Sequence, residues 1–248
     1  MRYINANGKY ETPLILSFPP GFNHPVPWPW HGYDEDQNQQ LFLREWEEVR
    51  EEWRGWNIVV AELLASAARG EDAVTELVVD THREPTGIGH MLFKKPNKDY
   101  NSTLQLFETA KLTRLALSLN LTFADVEGWR CLKSGLVKQA LEQTPHLQHF
   151  SLHITTEPFD PCTRPDDDKL EHIPPLDSYL PHSTWKSLRS MELSNLYLTQ
   201  DGLVDFLAAL PFTLKIVVLD TLYVYNGTWR GLLQCIRDHF VRGAGAQK

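Results

Sequence analysis

The chain has 248 residues, 42% hydrophobic and 23% charged, enough to bury one substantial core and too apolar for wholesale disorder. A net charge of -8 with no block of Lys or Arg argues against nucleic acid as a partner, because backbone binding needs a clustered basic face. Cys131, Cys162 and Cys235 are odd in number and widely spaced, which fits neither a disulfide framework nor a paired zinc motif.

No apolar run approaches the roughly 18 residues of a membrane span, and no basic-then-apolar leader opens the chain. The expectation is an intracellular protein, cytoplasmic or nuclear, with no membrane partner. The sequons at Asn101, Asn120 and Asn226 are then chance matches.

Residues 1–38 interleave Pro13, Pro19, Pro20, Pro25, Pro27 and Pro29 with Phe18, Phe22, Trp28, Trp30 and Tyr33. Proline removes a backbone donor and fixes φ, so this stretch is neither a central strand nor a helix interior. It reads as an N-terminal arm laying aromatics on the folded body, the alternative being a polyproline ligand for another domain.

Residues 39–72 turn helical. Trp46, Val49, Trp53, Trp56, Val60, Leu63 and Ala67 recur at steps of three and four, one stripe of a helix, and Gly55 interrupts them. Three tryptophans are too bulky for a coiled-coil seam, so this helix is predicted to pack on its own protein.

From 73 to 240 one pattern recurs. KLTRLALS at 111–118 sets Leu112, Leu115 and Leu117 in an L-x-x-L-x-L frame, with Asn120 three residues beyond. Similar frames start at Val74 (VTELVV), Leu147 (LQHFSL), Leu188 (LRSMEL) and Leu214 (LKIVVL), and the successive anchors are 38, 35, 41 and 26 residues apart. Each frame alternates with period two, as a strand with one buried face does. Helix-like segments follow three of them, at 126–142, 199–210 and 228–240, the second with Thr199 as N-cap.

Two insertions, 83–102 with Lys94, Lys95 and Lys98 and 156–184 with Asp166, Asp167 and Asp168, read as loops without regular structure. On one rim they would frame a surface with basic and acidic edges; otherwise they are solvated loops. Residues 241–248 are left as a tail.

Leu112-x-x-Leu115-x-Leu117-x-x-Asn120 resembles the frame of leucine-rich repeats, and 188–210 looks like a whole repeat of the strand-plus-helix type. The position equivalent to Asn120 is His82, Thr155, Leu196 and Leu222 in the other units. The region is similar to the irregular repeats of fungal F-box proteins, although no leucine-proline opening followed by three short helices occurs in 1–70. The resemblance implies an α/β fold, a curved leucine-rich-repeat-like solenoid of about five parallel strands backed by helices. The Trp-rich helix would cap its first strand and 228–240 its last. It further implies non-enzymatic recognition of a protein or peptide, as in the substrate-recognition part of an F-box-like ubiquitin ligase, with a ligase adaptor as a second partner.

If the frame leucines point inward, alternate residues line the concave sheet. They are Glu76, Val78 and Asp80, then Arg114, Ala116 and Ser118, then His149, Ser151 and His153, then Ser190, Glu192 and Ser194, and lastly Ile216, Val218 and Asp220. Such a polar, mixed-charge face with one apolar end suits many modest contacts to a polypeptide.

Chemistry is harder to find. His149 and His153 share a side of one strand but stand about 13 Å apart, too far to hold one ion. His24 and His31 near Asp34, Glu35 and Asp36 make only a loose metal grouping, and Asp166, Asp167 and Asp168 lack the spacing of a calcium loop. Gly87-Ile88-Gly89 begins a dinucleotide fingerprint that fails at Leu92. No catalytic residue, metal or cofactor is therefore assigned. The competing reading is an enzyme on a conventional α/β sheet with a His/Asp site assembled from loops, and strand order separates the two.

Overall fold

The computed structural model describes residues 14–17, 55–70, 74–80, 87–121, 126–155 and 173–245. The strands are β1 (Leu14–Ser17), β2 (Glu76–Asp80), β3 (Ile88–Gly89), β4 (Arg114–Asn120), β5 (His149–Thr155), β6 (Ser190–Ser194), β7 (Tyr197–Thr199), β8 (Ile216–Asp220) and β9 (Tyr223–Asn226). The helices are α1 (Gly55–Ala68), α2 (Lys98–Thr109), α3 (Val126–Lys133), α4 (Leu136–Glu142), α5 (Gln200–Ala208) and α6 (Trp229–Gly245). Every frame lies on a strand of the main sheet.

That sheet runs β1-β2-β4-β5-β6-β8, every pair parallel, with β3 lying beside the far half of β4. It is an open α/β sheet, not a closed barrel, and its order follows the chain without reversal. The switch point at which a doubly wound enzyme opens its ligand crevice is missing from this order. Right-handed crossovers progressing in one direction put the connecting helices on a single face.

Burial follows from that arrangement. Leu77, Leu115, Leu117, Phe150, Leu152, Met191 and Leu193 point into the core, while their neighbours along each strand face the other way. Helices complete the apolar layer: Trp56 and Leu63 of α1, Leu106 and Phe107 of α2, Val137 and Leu141 of α4, Phe206 of α5 and Leu232 of α6 belong to the same core. Trp56 Nε1 donates to Thr103 Oγ1 at 2.9 Å, fixing α1 on α2. The Phe150 and Trp185 rings meet with centroids 4.6 Å apart.

Several expectations need correction. Part of the N-terminal arm is strand: β1 pairs along the outer edge of β2, where flanking prolines cost no ladder bond. The rest of 1–38 lies outside the described residues, as do Trp46, Val49 and Trp53. Of the predicted Trp-rich helix only α1 is described; it packs on α2 within the helix layer, and β1 takes the outer edge of β2.

Residues 83–102 are not simply a loop. They hold β3, a 3-10 turn at His90–Phe93 and the start of α2, whose N-cap Asn97 accepts from Tyr100 N–H at 2.8 Å. The segment 126–142 is two helices, broken where Gly135 turns left-handed at φ 80°. Of 156–184, the described part packs Leu176, Tyr179 and Leu180 into the core around a 3-10 turn at Leu176–Ser178. Helix α6 continues through 241–245, so that stretch is not a tail.

The last cap also fails. Helix α6 packs on α5 and leaves β8 uncovered, because it completes the helix layer instead of crossing the sheet edge.

Candidate functional site

Parallel pairing in register turns the alternate residues into rows running across the strands. The first row is Glu76, Arg114, His149, Ser190 and Ile216. The second is Val78, Ala116, Ser151, Glu192 and Val218, and the third is Ser118, His153, Ser194 and Asp220. Asp80 is paired with Ser17 of β1, beyond the reach of the β2–β4 ladder. The sequence-derived candidates are therefore brought together on one face.

Neighbouring strands bond through these side chains. Arg114 Nη1 lies 3.9 Å from Glu76 Oε2, a loose ion pair that leaves both groups largely hydrated. His149 Nδ1 and Ser190 Oγ are 2.7 Å apart. In the third row Ser194 Oγ donates to Asp220 Oδ2 at 3.2 Å and lies 3.1 Å from His153 Nδ1. A serine has one hydroxyl proton, so a Ser194 that donates to Asp220 accepts from an Nδ1–H on His153.

That order bears on chemistry. A nucleophilic triad places the imidazole between serine and carboxylate, so the base can take the hydroxyl proton. Here the serine stands between the other two, and it is buried. The arrangement is a cross-strand polar ladder that stiffens the face.

The face is not uniformly open. Arg114, His149, Glu192, Ile216, Val218 and Asp220 are exposed, and Glu76, Val78, Ser151, His153 and Ser190 are half-buried. Ser118 is buried, bonded to Thr155 Oγ1 at 3.1 Å and overlaid by Gly87, whose missing Cβ would come within 2.7 Å of Ser118 O. The close approach gives Gly87 a packing role in place of a phosphate-binding one.

Beyond the ends of β6 and β8 a second ladder, β7–β9, was not anticipated. Tyr197 and Tyr223 stack at 4.7 Å, and Trp129 meets Tyr197 edge-on at 5.7 Å. Burial, with Tyr223 beside it, pushes the Tyr197 phenol well above its ordinary pKa. Asn195, one residue before the position compared with Asn120, donates from Nδ2 to Ile154 O and so ties the end of β6 to β5.

No group of three or more His, Cys, Asp or Glu among the described residues could hold a metal. His24, His31 and Asp166–Asp168 lie outside them. A depression of about 320 Å³, lined by Glu108, Lys111, Glu142 and His146 among others, sits at the C-terminal ends of α2 and α4. It lies off the rows. No helix among the described residues is long and apolar enough to cross a membrane.

The class defined so far is an open, sequentially ordered parallel α/β sheet, one face of which no helix among the described residues covers. No protein-family model matches the chain, and no curated protein or solved structure matches it either.

Proposed function

We propose that the uncovered face recognises a protein or peptide, and that the sheet and its helices form a curved, leucine-rich-repeat-like solenoid. In this reading the chain acts inside the cell, in cytoplasm or nucleus, as a substrate-recognition part of an F-box-like ubiquitin ligase. The supporting observation is the set of three registered rows, which present Arg114, His149 and Glu192 on rigid neighbouring strands. Registered strands hold the backbone positions of these groups in fixed spacing, and mixed charge favours a polypeptide with matching groups over a polyanion.

The test is affinity purification from the native cell with wild type and an Arg114→Glu/His149→Glu/Glu192→Arg variant. All three positions are exposed, so the fold is expected to hold, with the melting temperature lowered by the carboxylates set beside Glu76 and the lost His149–Ser190 bond, while partner recovery falls at least tenfold. Recovery of a ligase adaptor and cullin would identify the machinery. A partner without them, lost in the variant, would leave stand-alone recognition. A partner held equally by both proteins would overturn the assignment to this face.

A further inference from the structure

Both layers of the molecule end at the same side, and that end is apolar. β8 pairs only with β6 among the described residues, and α6 is the last helix, packed on α5. In register with Met191 and Leu193, which are 1% and 0% exposed, stand Val217 and Leu219 of β8. Val217 is 39% exposed, with Ile216 at 58% and Val218 at 43% on the opposite face. Beside them Phe212 is 99% exposed, and Trp229 and Leu233, one turn apart on α6, are 42% and 58% exposed.

The backbone is open as well. Ile216 N–H donates to Arg189 O on the β6 side, so by alternation the N–H and C=O groups of Val217 and Leu219 point away from the sheet. Open edges are usually blunted by lysine, proline or a bulge. Residues 216–219 are Ile-Val-Val-Leu, with neither lysine nor proline.

We propose that a second copy of this chain covers this end, through antiparallel pairing of β8 with its counterpart about a two-fold axis at Val218. The axis stands perpendicular to the sheet, so each face continues across both copies. Val217 then lies opposite Leu219 of the other copy, and their outward N–H and C=O groups exchange ladder bonds. Ile216 meets Asp220, and Val218 meets itself.

The same axis brings the two α6 helices together on the core side, Trp229 and Leu233 against their copies. The six exposed side chains present on the order of 600 Å² of apolar surface, close to the ~800 Å² per partner of a standard interface before backbone and rim are added. With no charge between Lys215 and Asp220, the strand requires no complementary charge from its partner, as a self-pairing edge should. Two-fold pairing also closes, whereas joining β8 to the β1 edge of another copy would propagate without end.

Sedimentation equilibrium of the full chain, from sub-micromolar to high micromolar, tests this with Val218→Lys and Leu233→Glu. Both sites are solvent-exposed, one on the sheet and one on the helix, so loss of fold in either leaves the other to read. The expected result is a wild-type dimer whose dissociation constant rises at least tenfold in each folded variant, with unchanged circular dichroism. A wild type that stays monomeric throughout, a dimer indifferent to both substitutions, or mass that keeps growing with concentration would each overturn the proposal.

Discussion

Tyr100 shows how a single buried polar group is held and what that implies for pH. Its ring packs against Phe93 at 6.3 Å, edge to face, and its single hydroxyl proton is shared between two acceptors, Gln139 Oε1 at 2.9 Å and Leu136 O at 3.1 Å. Burial, helped by the negative charge of Glu142, pushes the phenol up to about 12. The folded state therefore keeps a proton that the unfolded chain releases near its ordinary value of about 10. This contribution is fully present below pH 10 and is lost as pH rises towards 12. Urea titrations across pH 9–11.5 should show wild-type stability falling, and the deficit of Tyr100→Phe at neutral pH, about 1–2 kcal/mol, should narrow as pH rises. A deficit that stays constant would show that Tyr100 does not carry the alkaline loss.

At the scale of elements, α2 and α5 begin where a side chain satisfies one of the first free N–H groups. Thr199 Oγ1 accepts from Gly202 N–H at 3.0 Å, and Asn97 does the same for α2 while donating to Leu92 O at 3.0 Å. Thr199→Ala should cost about 1 kcal/mol and lower the melting temperature by roughly 2–4 °C, a shift that calorimetry resolves. The Thr199 cap was legible because it precedes an apolar periodic run. Asn97 was obscured by Lys94, Lys95, Pro96 and Lys98, whose composition suggests a loop although Tyr100, Thr103, Leu106 and Phe107 form a buried face. Strand β1 was hidden for a different reason: four residues between prolines carry too little periodicity to be told from an extended arm.

For the molecule as a whole, one core runs from α1 to α6, so damage at its centre should not stay local. Leu117 is in β4, between β2 and β5, and is 4% exposed. Leu117→Asp buries an unpaired charge there and should abolish the cooperative thermal transition, since the cost exceeds a domain's usual margin once packing is lost too. Retention of the wild-type melting temperature would mean that Leu117 does not face the core. At this scale the long face and the end face also differ in kind. The former is polar and tied together by His–Ser and Ser–Asp bonds, while the latter is apolar with open backbone groups.

The amino-acid pattern alone determined where the five frame strands lie and, on β2, β4, β5 and β6, which side is buried; on β8 the frame side stays part-open, with Val217 39% exposed. Both follow from a two-residue period that each segment carries within itself. It therefore also specified the residues that share the uncovered face. Tertiary structure decided how much of that face is accessible, because Ser118 is covered by Gly87 and Thr155 from distant segments. It decided as well that β1 forms one edge of the sheet and β8 the other, since edge pairing joins residues far apart in the chain and leaves no local periodic mark.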